Sequence, residues 1–163
     1  MTRINEIILK LEEIFAVVLA FAMTAIIFIQ VFSRSVLGDS LSWSEELGRY
    51  IFVWMTFIGA SVALQRGAHL GIDALVQALP KKLQNIFALV TYIFIFLLLL
   101  VMIKEGISLV EHTGMQRSPA MRMPMSWAYL AIPVSAVLMI VHTIYKIISG
   151  VKELAAGEGG NGA

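Results

Sequence analysis

"IFAVVLAFAMTAIIFIQVF", Ile14 to Phe32, carries no charged side chain from end to end. A bilayer core about 30 Å thick is crossed by roughly 20 apolar residues of helix, and this run has that length. Working outward, three more stretches approach it. The second, "YIFVWMTFIGASVAL" from Tyr50 to Leu64, is short by itself and reaches full length if its helix starts near Trp43. The third runs from Ile86 to Ile103, and the fourth from Trp127 to Ile148 with Pro133 early in it. Spans near 14–32, 43–64, 86–103 and 127–148 make an all-α integral membrane protein of four transmembrane helices. Short amphipathic interfacial helices are expected in its loops.

Composition agrees. Hydrophobic residues make up 59% of the chain and charged residues 14%, outside the usual range for soluble domains. A net charge of +1 leaves no basic surface for nucleic acid. Cysteine is absent, which excludes disulfides, thiolate metal sites and cysteine nucleophiles. The loops between spans are too short for a separate globular domain, so residues 1–150 form one membrane domain and 151–163 a flexible tail. The first run follows Glu12 and Glu13 and lacks a small-residue cleavage site, so it reads as a retained anchor rather than a secretory signal.

An even number of spans puts both termini on one side of the membrane. Arg3, Lys10, Arg66, Lys81, Lys82, Lys146 and Lys152 fall there, against Arg34, Arg49, Lys104, Arg117 and Arg122 opposite. That asymmetry predicts cytoplasmic termini.

The polar residues give little sign of chemistry. Span centres hold no ionisable residue, although ion and proton pathways across membranes commonly need one. Thr24, Gln30, Thr56, Ser61, Thr91 and Ser135 suit bonds between helices. No nucleotide loop, metal-ligand cluster or catalytic triad is visible, and no enzyme activity, catalytic residue or metal site is expected. His69 and His142 fall toward one side, which leaves open a second reading, a four-helix haem-bearing anchor of a respiratory enzyme. Their unequal depths count against it.

"SWSEELGRYIFVW", Ser42 to Trp54, concentrates charge at the head of the second span. Ser42 and Glu45 have capping-box spacing, and Glu45 with Arg49 has the favourable i,i+4 order. Beyond that span, Gly71 to Leu79 is amphipathic and fits an interfacial helix, with His69 and Asp73 four apart. In "GMQRSPAMRMPMSW", Pro119 and Pro124 bracket a rigid turn, and Trp43 and Trp127 suit the aromatic belts of the two boundaries.

"WSEELGRYIFVWMTFIGASVALQRGAHLGID", then "LP" and later "QRSPAMRMPMSWAYLAIP", closely resembles the small membrane subunit of tripartite ATP-independent periplasmic (TRAP) transporters, the DctQ-like family. The likeness covers about Ile14 to Ile148. It implies a bacterial inner-membrane subunit that pairs with a large membrane subunit, while a periplasmic binding protein delivers a carboxylate: a C4-dicarboxylate, keto acid, sugar acid or sialic acid. On that resemblance the small subunit is a scaffold without cofactors of its own, embedded among membrane lipids, and Na+ belongs to the large subunit. By similarity, Glu45, Glu46, Arg49, Trp54, Gly59, Arg66, His69 and Asp73 take an assembly or interface role. Gln116, Ser118, Pro119, Pro124 and Pro133 match a second motif.

Overall fold

The computed structural model describes residues 3–38, 41–67 and 80–158. Helix α1 spans Arg3–Phe32, α2 Ser42–Arg66, α3 Lys81–Thr113, the single turn α4 Ser126–Tyr129, and α5 Ala131–Glu158. Four helices are long and apolar enough to cross a membrane. Each extends past the apolar run that predicted it. Helix α1 starts well before Ile14, and α5 continues to Glu158 through residues expected to be tail. Both extensions carry the polar and charged residues that a hydropathy window excludes.

The helix ends have local causes. Gly67 stands at φ 71°, and its amide donates to the carbonyls of Ala63 and Leu64, so α2 stops on a left-handed glycine. At the other end the predicted capping box does not form. The cap position is Leu41, in extended conformation, which puts Ser42 inside the first turn and out of reach of the free amides. Ser44 closes that turn instead, its hydroxyl donating to the Leu41 carbonyl at 2.7 Å. Pro133 lies in the first turn of α5 and has no amide to give Tyr129, four residues back. The chain therefore breaks between α4 and α5 at Leu130.

Helix α1 packs on α2, α2 on α5, and α5 on α3. The helices thus form a row with α1 and α3 at its edges, closed at one end where α1 also touches α5. Leu64 of α2, Leu99 of α3 and Ala136 and Met139 of α5 make the central apolar cluster. Small buried residues on α4 and α5, among them Ala128, Ala131, Ser135 and Ala136, let the neighbours approach, as is usual where lipid supplies no hydrophobic drive between helices. The edges stay uncovered: Phe21 and Phe28 of α1 and Phe94, Leu97 and Leu98 of α3 all face outward.

One close approach is testable. A Cβ on Gly106 would lie 3.0 Å from Pro133 Cδ and 3.2 Å from Ile132 Cγ2. Gly106→Ala should therefore push α3 off α5 and destabilise the chain by about 1–3 kcal/mol, read as a lowered Tm in detergent.

The amphipathic stretch Gly71–Leu79, with His69 and Asp73, lies outside the described residues.

Candidate functional site

Two polar knots hold the row together, one toward each end. At the end that carries the termini, Asn5 and Glu12 stand seven residues apart on one face of α1. His142 of α5, fully buried, bridges them: Nδ1 lies 2.6 Å from Asn5 Oδ1 and Nε2 lies 3.1 Å from Glu12 Oε2. Ser61 of α2, also fully buried, donates to the other Glu12 oxygen at 3.0 Å. Three helices therefore meet at one carboxyl group. The ring and the carboxyl group answer each other's polar atoms, so neither is buried without a partner. Beside it, Glu13 accepts two bonds from the Arg66 guanidinium, at 2.7 and 3.0 Å, in an exposed pair between α1 and α2.

At the opposite end, Glu46 turns inward from the first turns of α2 and is 3% exposed. Its Oε2 accepts the amides of Ala120 at 2.8 Å and Met121 at 3.4 Å, and Ser118 lies against the same carboxylate. The loop it grips is a small hairpin. Ser118 N–H donates to Met123 O, Met125 N–H donates to Gln116 O, and Met123 N–H donates to the Ser118 hydroxyl. Arg122 is held there at φ 53°, a left-handed conformation that costs a non-glycine residue about 1–2 kcal/mol. Nearby, Trp54 Nε1 donates to the Trp127 carbonyl at 2.9 Å, and its ring meets Phe15 edge-on. The two sequence motifs are therefore one structural unit: Glu46 and Trp54 from the first bind the segment that carries the second.

Residues 23–153 match the family described as "Tripartite ATP-independent periplasmic transporters, DctQ component". The chain belongs to that family. Among its relatives is the sialic acid TRAP transporter small permease protein SiaQ of Vibrio cholerae, 28% identical over 93% of this chain and 87% of SiaQ. The sialic acid TRAP transporter permease protein SiaT of Haemophilus influenzae is 31% identical over 83% of this chain, which spans 22% of SiaT. The C4-dicarboxylate TRAP transporter small permease protein DctQ of Rhodobacter capsulatus is 34% identical over 63% of this chain and 46% of its own length. With its four apolar helices, this DctQ-family chain is a multi-pass protein of the inner membrane.

The predicted site residues of this DctQ-family chain do not form one surface. Glu45 and Arg49 are exposed, and among the described residues neither is in an ion pair, so the expected i,i+4 bridge is open. Glu46 and Trp54 bind inward, and Arg66 is engaged by Glu13. Gly59 faces open space. Gln116 and Pro119 are exposed, Ser118 is buried under Glu46, Pro124 pairs with Arg117 in the hairpin, and Pro133 packs on Gly106.

Both ring nitrogens of His142 are occupied by Asn5 and Glu12. That removes it as a free haem ligand and with it the support for the respiratory-anchor reading. Asn5, Glu12 and Ser61 were not singled out as a site from the sequence. The signal for two of them was spacing, with Asn5 and Glu12 at i,i+7 on α1.

Proposed function

We propose that this chain is the non-catalytic small subunit of a TRAP transporter. It scaffolds a large membrane subunit and helps a periplasmic binding protein dock, during uptake of a carboxylate driven by the sodium gradient. Both termini face the cytoplasm in this reading, and the Na+ and substrate sites belong to the large subunit. The supporting observation is how the chain uses its polar groups. Glu12, Glu46, Trp54 and His142 are taken up in fastening the subunit to itself, while the apolar faces of α1 and α3 remain uncovered. Those edges suit lipid and a partner's helices. The names of SiaQ and of the Rhodobacter DctQ point to the substrate class, sialic acid and C4-dicarboxylates, without choosing within it.

Glu45 and Arg49 are exposed at the boundary of α2 without an ion pair among the described residues, although the Arg49 charge reaches Glu46. Arg49→Ala and Glu45→Ala should leave Tm unchanged and lower recovery of the large subunit on co-purification by about fivefold or more, the scale of an interface anchor. Full assembly together with full uptake in proteoliposomes, in both variants, would refute the scaffold assignment of these residues.

A further inference from the structure

Lys146 stands apart from the other membrane-embedded polar groups because, among the described residues, its charge meets an aromatic ring and no carboxylate. It is half-buried on α5, with Nζ 5.5 Å from the centroid of the Tyr92 ring of α3. Among the described residues no carboxylate pairs with it and no acceptor takes its protons, in contrast to Arg66 with Glu13. Gly67 lies beside it, so the carbonyl end of α2 is near. That end supplies only partial negative charge. An ammonium has three donors, and leaving them unused away from bulk water is costly.

The ammonium lines a pocket of about 180 Å³ between α3 and α5. Ser149 and Gly150, three and four residues on, share its helical face and line the same pocket. That face thus offers a cation, a hydroxyl and an uncluttered backbone, since a Cβ on Gly150 would meet nothing within 4 Å. Tyr145 adds a phenol, hydrogen-bonded to the Ser149 hydroxyl and within reach of the Glu6 charge, and Leu89 an apolar wall. Lys146 lies two residues before the end of the apolar run at Ile148, the depth at which lipid headgroups begin. Next to the wall, Phe87 and Val90 expose apolar surface outward along α3.

From this arrangement we propose that the α3–α5 pocket binds the phosphate of an anionic phospholipid, with Lys146 as its cation and Ser149 as a hydroxyl donor. The acyl chains lie along α3. The adjoining apolar surface favours a lipid over a free phosphate ion, and basic pockets between spanning helices are suited to such headgroups. This inference does not depend on the transport reading or on which side the termini face.

Native mass spectrometry of the purified, delipidated full chain tests it, with phosphatidylglycerol, phosphatidylcholine and inorganic phosphate as probes. Phosphatidylglycerol should be retained in preference to phosphatidylcholine, whose quaternary ammonium opposes Lys146. Lys146→Gln should weaken that retention about fivefold, the value of one lysine near a lipid surface, while Lys152→Gln should leave it within about twofold. An unchanged Tm of lipid-free Lys146→Gln shows that the fold persists; if the Tm falls, Ser149→Ala takes its place with the same expected direction. Equal retention of both lipids, or no loss in either pocket variant, overturns the proposal. So does saturable binding of inorganic phosphate that lipid does not displace, which would mark a free-anion site. If the Lys146 variant loses the large subunit but not phosphatidylglycerol, the cation belongs to a protein interface and the lipid assignment fails.

Discussion

His142→Ala is expected to destabilise the subunit by about 3–5 kcal/mol, the usual cost of removing one partner from a buried ionisable pair. The size follows from what is left behind. Glu12 keeps its Ser61 bond, but its second oxygen and Asn5 Oδ1 would face a cavity where the ring had been. Glu12→Ala should act through the same contacts, so the two losses should not add. A double-mutant cycle on Tm or chemical unfolding in detergent should give a coupling of at least about 1 kcal/mol. Strictly additive effects would mean that the contact carries little energy. A paired apolar replacement, Glu12→Leu with His142→Leu, should recover much of the loss, because it removes both polar groups instead of orphaning one. If the paired replacement is stable yet assembles poorly, the knot sets the geometry of the helices rather than their stability.

Glu46→Ala should act at the other end and more locally. The carboxylate accepts two amides of the hairpin and lies against Ser118, and nothing else in the described structure answers those amides. Hydrogen exchange at Ala120 and Met121 should rise on the order of tenfold, as for a lost hydrogen bond to a charged group. Exchange in α1 and at the His142 knot should not change. Glu46→Gln keeps one acceptor oxygen and should fall between the two. Freeing the hairpin should also lower co-purification of the large subunit or the rate of uptake, since the second motif would lose its fixed shape. Unchanged exchange at both amides in Glu46→Ala would show that the hairpin is held by its own backbone bonds.

These two results separate residues that sequence alone places together. Glu45, Glu46 and Arg49 look alike as charges at the head of a span. In three dimensions the helix turns Glu45 and Arg49 outward and Glu46 inward, so an assembly role could reach a partner directly only through the first two. The capping box fails for a related reason: helix α2 starts one residue earlier than the pattern needs, and Ser44 closes its first turn.

Much of the architecture was legible because it follows from local physics. Unpaired backbone is intolerable in hydrocarbon, so each apolar run had to be a helix, and the four runs announced four spans. The proline and tryptophan positions of the third loop marked its turn and re-entry. Glu12 was hidden by the same method, because it lies just outside the apolar run and counted as a boundary acid. Its burial depends on α2 and α5 closing over it.

Sequence by itself therefore determined the class of protein, the number of spans and, through its two motifs, the family resemblance, since these rest on hydropathy and residue order along one chain. Tertiary structure alone decided which charges are spent internally and which stay exposed. That choice depends on helix rotation and on contacts between residues as far apart as Asn5 and His142 or Glu46 and Ala120, which no local pattern encodes.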